Sequence, residues 1–496
     1  MSWPGKLALA GGGFVSGLVA ILLAQTELKF GVAALVVVAL IAGMVGSGNP
    51  RLFFLYATVL TAPLDFSKRF LTVAHMGGAS AIRIDLVDVM LIPIAFYLLR
   101  ELRHTRRELY WPAFLRAWLV FTVIGALFIL IGPMRHLASL EVFRMGKLAL
   151  LCLFLVNEVV RHRQIRHFAA AMLWSVVVQS LIGIAEYVKG APLGLYILGE
   201  ATPEVIEYLS AATLDDGAFV YRISALLGHS NLFSIFLASQ LPIALALLFT
   251  RAPLALRLLA GAALGLGVIA LILTLSRTGW VTGVCALALV VVLSLFHPVT
   301  RSHFILGRVG LVMGGLAVGV AFSGKIADRL FRSDAGAVNV RFEWLDVALA
   351  MAREKPVLGW GLNTFVFQMA PYTRYQTQER LFDIYKENLP VVHNVYALVF
   401  AEQGVVGVLG LVAFMSVAFG TALRNLRARD DVLYALSIGC VAAILVYFMD
   451  WMASFSLRMD FMGRTFFLVL ALVGAIRLWR RNNETEPKAG STWERR

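Results

Sequence analysis

The sequence predicts an all-α polytopic membrane protein with about 12–14 transmembrane helices and one large helical loop on the outer side of the membrane. Of its 496 residues, 59% are hydrophobic and only 15% are charged, and the mean hydropathy is +0.80. A transmembrane β-barrel would instead show short segments of alternating hydrophobicity, and the sequence has none. Composition therefore selects a bundle of membrane helices.

Long apolar stretches justify the individual helices. Each approaches or reaches the roughly 20 residues that an α-helix needs to cross a bilayer. Examples are Leu7–Ala24, Phe30–Val45, Trp111–Gly132, Gly261–Leu275 and Val281–Phe296. Several candidate spans adjoin each other without a polar break, so the sequence gives their number as a range.

The distribution of positive charge orients the bundle, because Lys and Arg next to membrane spans tend to stay in the cytoplasm. The net charge is +14, and basic clusters occur at residues 100–107, 161–166, 251–257, 301–308, 424–429 and 477–481. They fall in alternate loops if the N-terminus is cytoplasmic. The segments 191–221 and 323–389 then lie outside. This explanation of the charge leaves no need for a nucleic-acid partner.

The second of these outer segments is about 70 residues long, and loops of that size are usually structured or functional. The spacing of Phe342, Leu345, Ala348 and Ala352 predicts a helix over 339–355, with Asn339 as its N-cap. Pro356 and Gly359 should end it. The outer loop is therefore expected to be partly helical.

Three arginines map to the outer side, against the usual cytoplasmic bias, and each stands at a helix boundary. They are Arg222, Arg277 and Arg341. A guanidinium matches phosphate oxygens in bidentate geometry, so together they form a candidate clamp for a diphosphate. The alternative is that each reaches a lipid head group.

His393 and Asn394 stand where the outer loop runs into a long apolar segment. Histidine is the side chain whose unperturbed pKa lies nearest neutrality, which suits a general base that serves both an aqueous and a lipid-borne substrate. The alternative is a simple helix cap.

Two further ionisable residues are supporting candidates. His229 lies two helical turns beyond Arg222 if the helix is continuous, although a hydrogen-bonded polar core residue is the favoured interpretation. Glu402 lies at membrane depth, where an ionisable group is either functional or the buried partner of an arginine. The three cysteines, Cys152, Cys285 and Cys440, have neither metal-ligand nor disulfide spacing.

In order along the chain, these pieces resemble the O-antigen ligase and O-antigen polymerase superfamily, and the resemblance covers roughly residues 221–412. Arg222 with Gly228–Asn231 is similar to the arginine and Gly-x-x-Asn element of that family, and Ser276–Gly279 to its Ser-Arg signature between two spans. The remaining pieces are an Arg-x-x-Trp helix followed by Pro-x-x-Gly-x-Gly, and a final His-Asn with Glu-x-Gly-x-x-Gly. They stand at Arg341–Gly361 and at His393–Gly407.

The resemblance implies a GT-C-like bundle that acts as a membrane glycosyltransferase without metal or cofactor. Its donor would be a glycan on undecaprenyl diphosphate, and its acceptor a hydroxyl at the periplasmic face of the bacterial inner membrane. His393 would be the base of an inverting displacement, while Arg222 and Arg277 would bind the diphosphate. Arg341 would either join them or cap the loop helix. Asn231, Asn394, His229 and Glu402 would support the site.

The acceptor separates the alternatives. A ligase transfers the glycan to lipid A-core, and a polymerase of O-antigen or exopolysaccharide transfers it to a growing glycan; the constellation of His393, Arg222 and Arg277 favours the ligase. A lipid-linked sugar transporter is a third possibility, although two similar halves with paired broken helices are not evident. The expected regions are N-terminal spans 1–220, a ligase-like core 221–322, a periplasmic loop 323–393, C-terminal spans 394–479 and a cytoplasmic tail 480–496.

Overall fold

The computed structural model describes residues 46, 48–73, 77–105, 108–203, 212–213, 219–248, 250–296, 336–380 and 389–484. The chain divides into two compact units, Met1–Phe54 and Leu55–Arg496. The predicted spans 7–24 and 30–45 lie outside the described residues, as does the tail from residue 485 onward.

Helices dominate the described residues. They are α1 (Pro50–Thr61), α2 (Leu86–Thr105), α3 (Ala113–Ile131), α4 (Arg135–Arg161), α5 (Ile165–Lys189), α6 (Ser230–Leu248), α7 (Leu254–Leu273), α8 (Arg277–Leu293), α9 (Gly336–Glu354), α10 (Phe365–Gln368), α11 (Val395–Asn425), α12 (Asp431–Asp450) and α13 (Asp460–Glu484). Two short antiparallel hairpins join β1 (Ser67–Phe70) to β2 (Ile82–Asp85) and β3 (Ala212–Thr213) to β4 (Phe219–Val220).

Within the described ranges, eight of these helices are long and apolar enough to cross a membrane. They are α3, α5, α6, α7, α8, α11, α12 and α13. This confirms the prediction of an all-α polytopic membrane protein. In α6 and α13, 89% of the most apolar 18-residue window is buried, against 33% in the helix that begins with α8. Hence α6 and α13 are central, whereas α8 leaves most of its apolar surface for lipid.

The loop helix α9 confirms the predicted helix, but its N-terminus differs. It begins at Gly336, so Asn339 is not the cap that the sequence predicted. The buried side also differs, since Trp344, Ala348 and Met351 are buried while Phe342 is 61% exposed. Trp344 and its neighbours pack with α10 and the start of α11 in one apolar cluster.

Helix α11 contains a break, and the segment that follows α9 forms backbone hydrogen bonds with the residues at this break. Gly404 has φ 60° and ψ −160°, a backbone conformation that interrupts the helix. The freed amide of Val405 donates to the carbonyl of Pro356 at 2.8 Å, and Gly361 donates to the carbonyl of Glu402 at 2.8 Å. Backbone groups exposed by the break are thus satisfied inside the protein, as a break at membrane depth requires.

Buried charges fasten the same region to α4. Arg458, in the turn before α13, contacts Glu402 at 2.5 Å and Glu141 at 3.0 Å. Arg144 closes the group with a two-pronged contact to Glu141, at 2.6 and 3.0 Å. Since all four side chains are buried, each charge depends on its partners to offset the loss of hydration.

We expect Gly404→Ala to destabilise the protein by about 3 kcal/mol or more, because the residue would be held in a left-handed conformation. Its Cβ would also lie 2.3 Å from the backbone of Val357. Thermal unfolding in detergent measures the effect. Gly420→Ala is the matched control in the same helix, where a Cβ meets nothing within 4 Å. A melting temperature equal to that of Gly420→Ala would contradict this account of the break.

Candidate active site

Three chain segments supply the site, and each enters a membrane helix. The first precedes α6 and carries Arg222 and His229, the second is the short link between α7 and α8 that ends in Arg277, and the third carries His393 and Asn394 before α11. The loop helix α9 adds Arg341.

Arg222 is buried and held at both ends of its guanidinium. Its Nε donates to the carbonyl of Thr274 at 3.0 Å, and its Nη2 donates to Oδ1 of Asn231 at 2.7 Å. One residue therefore ties the C-terminal end of α7 to the first turn of α6. A buried guanidinium with these fixed partners is a preorganised positive charge.

Arg277 occupies the first turn of α8, directly after its cap. The hydroxyl of Ser276 accepts a hydrogen bond from the amide of Gly279 at 3.3 Å. Gly279 has no room for a side chain, because a Cβ there would lie 2.4 Å from Ser234 of α6. Within one turn, the Ser-Arg-Thr-Gly sequence thus provides the helix cap, a positive charge and a glycine that allows close helix packing.

Arg341 lies on the exposed side of α9 and shares its surroundings with Arg277. Partial loss of hydration lowers the pKa of Arg341, the like charge of Arg277 lowers it further, and Asp450 opposes both. Among the described residues, the side chains of Arg277 and Arg341 form neither a hydrogen bond nor an ion pair. Two neighbouring cations whose guanidiniums contact no carboxylate among the described residues are suited to an anionic ligand.

His393 is half-buried at the end of the loop, where Val391 and Val392 anchor the chain in the apolar cluster. Its Nδ1 lies 3.0 Å from the carbonyl oxygen of Val391, and its ring meets Phe455 edge to face at 5.3 Å. Burial lowers the pKa of His393 to about 4, the positive charge of Arg341 contributes, and the Val391 carbonyl opposes the shift. The imidazole is consequently neutral at pH 7.

Asn394 is the helix cap of this pair. Its Oδ1 accepts from the amide of Ala397 at 2.9 Å, and its Nδ2 donates to the carbonyl of Met452 at 3.0 Å. The capping alternative raised by the sequence therefore applies to Asn394 and leaves the imidazole of His393 free of that task. Asn394 also fixes the start of α11 to the end of α12.

His229 belongs to the same group of charges. Burial lowers the pKa of His229 to about 3, and the positive charges of Arg222 and Arg341 act in the same direction. The amide of Asn231 donates to Nδ1 of His229 at 3.0 Å. The structure thus brings His229 and Asn231 together with the arginines, whereas the sequence favoured a core role for His229.

Glu402 has different surroundings. Its carboxylate pairs with Arg458 and accepts from the amide of Phe365 at 3.1 Å. None of these partners belongs to the His and Arg group. Of the two interpretations offered for Glu402 from sequence, the buried partner of an arginine is the one that these contacts support.

Asp450, at the end of α12, is a residue that the sequence reading did not select. It is buried and accepts hydrogen bonds from Ser454 at 3.1 Å and Ser456 at 2.5 Å. It is also the carboxylate that acts on Arg341. The available signal was an acidic residue at the end of an apolar span, followed closely by two serines.

In chemical terms, the group offers positive charge for an anion and a neutral imidazole that can accept a proton. Within the described ranges, no three His, Cys, Asp or Glu side chains converge as metal ligands. Residues 262–412 match the family model described as O-antigen ligase. Over this range the chain is similar to the O-antigen ligase family, and the match supports the resemblance seen in the sequence.

The O-antigen ligase match includes Arg277, Arg341 and His393 and begins after Arg222 and His229. It ends at the residue where the resemblance seen in the sequence also ends. Members of this family are membrane enzymes of the glycosyltransferase type, which implies lipid-linked glycan substrates. A comparison with curated proteins gave no match.

We expect Arg341→Gln to raise the pKa of His393, because a positive charge that disfavours the imidazolium is removed. The value should stay below 6.5, since burial remains the larger cause. Wild-type His393 should stay neutral from pH 8 to about 5 and protonate only as the pH falls through about 4. Imidazole NMR titration, with His393→Gln to assign the signal, measures both values.

The control for this titration is Arg353→Gln, which removes an exposed charge from the last turn of the same helix. It should leave the pKa of His393 unchanged. Equal titration curves for Arg341→Gln and wild type would show that Arg341 does not act on His393.

Proposed function

We propose that the protein is an O-antigen ligase-type glycosyltransferase that transfers a glycan from undecaprenyl diphosphate to a hydroxyl of lipid A-core. The reaction would take place at the periplasmic face of the bacterial inner membrane, invert the anomeric centre and need no metal. The observation that carries the proposal is the placement, beside a neutral histidine, of two guanidiniums that are unpaired among the described residues.

The diphosphate would bind between the arginines. Arg277 and Arg341 make no hydrogen bond to other described residues, so their N–H groups are available to phosphate oxygens. Arg222 is already held by Thr274 and Asn231, and would act mainly as a fixed charge. Charge grows on the diphosphate as the sugar leaves, and positive groups fixed in advance stabilise that charge without reorganising.

The tautomer of His393 supports its role as the base. A carbonyl oxygen can only accept, so Nδ1 must carry the proton in its contact with Val391, and Nε2 of the neutral ring holds a lone pair. Nε2 would take the proton of the acceptor hydroxyl as its oxygen attacks the anomeric carbon. The bond from that carbon to the diphosphate oxygen breaks, and its electron pair remains on the diphosphate.

The donor and acceptor rest on the family and on the distribution of charge. Basic clusters in alternate loops favour a periplasmic location for the segments that carry Arg222, Arg277 and His393. We prefer lipid A-core as the acceptor because Arg222, Arg277 and His393 fit the constellation expected of the ligase. The His393→Ala experiment distinguishes this function from the two alternatives, transfer to a growing glycan and transport of the lipid-linked sugar.

We expect His393→Ala to abolish detectable ligation in a host from which the gene has been deleted, because loss of a general base lowers turnover by roughly 10²–10⁴-fold. Gel analysis of lipopolysaccharide together with carrier-linked glycan is the measurement. A ligase predicts lipid A-core without long chains and polymer accumulating on the carrier.

The control is His104→Ala, at the exposed end of α2, which should behave as wild type at equal protein level. Cores that bear a single repeat unit would identify a polymerase. Undiminished glycan output from correctly folded His393→Ala would overturn the catalytic assignment and favour a transporter.

We expect Arg277→Ala to lower turnover by about 30-fold or more, which corresponds to ~2 kcal/mol of lost transition-state stabilisation. Arg277→Lys should recover only part of it, because lysine keeps the charge but not the planar two-pronged donor. Initial rates with a polyprenyl diphosphate-linked glycan in detergent measure the ratio. Arg257→Lys, on the exposed first turn of α7, is the control. Full activity of Arg277→Lys would exclude bidentate binding.

A further inference from the structure

His229 is the residue that caps α6. Its carbonyl oxygen accepts the amide of Phe233 at 3.0 Å, the first hydrogen bond of the helix. Its ring nitrogen Nδ1 accepts the amide of Asn231 at 3.0 Å, two residues further along. This is the hydrogen-bond pattern of an N-cap, with an imidazole in the place usually taken by Ser, Thr, Asp or Asn.

The cap determines which nitrogen carries the proton. A backbone amide can only donate, so Nδ1 of His229 must hold a lone pair, and the proton of the neutral ring is on Nε2. His393 has the opposite tautomer, since its Nδ1 donates to the carbonyl of Val391. The two neutral histidines of one site therefore present different groups at Nε2: a donor on His229 and an acceptor on His393.

The Nε2–H of His229 is available to a ligand. No other described residue accepts a hydrogen bond from it, and the side chain is half-buried. Arg222, Arg341 and His393 are its electrostatic neighbours, and burial together with the charges of the two arginines keeps the pKa of His229 low. The ring is therefore a neutral donor at any working pH. Asn231 links the ring directly to Arg222. The backbone amide of Asn231 donates to Nδ1 of the ring, and its side-chain Oδ1 accepts from the guanidinium of Arg222.

We propose that His229 donates a hydrogen bond from Nε2–H to an oxygen of the leaving diphosphate, as a neutral donor beside the arginines. This inference rests on the proposed glycosyl transfer. When the bond between the anomeric carbon and the diphosphate oxygen breaks, the electron pair stays on that oxygen and the hydrogen bond strengthens. No proton moves from His229, because the only proton released in the reaction goes from the acceptor hydroxyl to His393.

A neutral donor has a specific advantage in this place. A further full positive charge beside Arg222 and Arg341 would add to the repulsion among these cations in the absence of substrate. A neutral imidazole adds a directed hydrogen bond without that cost. The cap also holds the ring in one orientation, so little freedom is lost when the substrate binds.

Two substitutions separate this role from capping, because they have opposite expectations. The amide of Asn reaches the position of Nδ1 and is a good N-cap, but it places no donor at the position of Nε2. The longer amide of Gln reaches the position of Nε2 with an N–H donor and is a poor cap. A purely structural His229 predicts that His229→Asn is the milder change, whereas a donor to the substrate predicts that His229→Gln is the milder change.

The experiment measures kcat and KM for transfer from a polyprenyl diphosphate-linked glycan, together with thermal unfolding, for both variants. We expect His229→Asn to melt near wild type and to lose about 100-fold in kcat, the scale of one missing transition-state donor. His229→Gln should melt lower and retain kcat within about tenfold of wild type. Wild-type kcat in His229→Asn, with a loss only in His229→Gln, would overturn the proposal.

Asp430→Ala is the matched control for loss of a cap. Asp430 caps α12 through the amide of Leu433 at 2.9 Å, at the opposite end of that helix from Asp450. It should lower the melting temperature and leave kcat at the wild-type value. If wild-type protein transfers no glycan at all, the proposed function fails. If wild type transfers glycan and the order of the two His229 variants is reversed, this inference alone fails.

Discussion

The buried contact of Arg458 with two carboxylates is the constraint on which the rest of the structure depends. Glu402 comes from α11 and has Arg458 as its ion-pair partner, while Glu141 comes from α4 and is paired with both Arg458 and Arg144. The turn that contains Arg458 also carries Phe455, which packs on the ring of His393, and Ser456, which holds the carboxylate of Asp450. One ion pair network therefore fixes both the helix break and one wall of the site.

Charges in this protein fall into two classes that differ in their pairing. In the network, Glu141 and Glu402 compensate Arg144 and Arg458 within hydrogen-bonding distance. In the site, Arg277 and Arg341 lack such partners among the described residues and are neighbours of each other. An anion would relieve their mutual repulsion, which is the physical basis for the diphosphate binding proposed here.

Sequence reasoning selected the candidate site residues where a local pattern carried the chemistry. Arg277 was selected as an outer arginine at a helix boundary, whereas the serine cap before it and the packing of Gly279 on α6 became visible only in the structure. Asp450 escaped notice because its importance depends on Arg341, which is far away in the chain. From sequence, Glu402 could be either a functional group or the partner of an arginine, because its partner Arg458 is also far away in the chain. The start of α9 was placed too late, because Asn339 has a good capping side chain and the helix extends past it.

By itself, the sequence determined the membrane class, the apolar spans and the set of arginines and histidines at the helix boundaries. These follow from composition and local spacing, because a span must be apolar over the thickness of the bilayer and the period of the helix fixes which residues share a face. The tertiary structure decided which charges are paired and which remain available, and which nitrogen of each histidine carries its proton. Those properties are set by contacts between segments, such as Arg222 with Thr274 or Glu402 with Arg458, and by caps whose geometry exists only after the helices have formed.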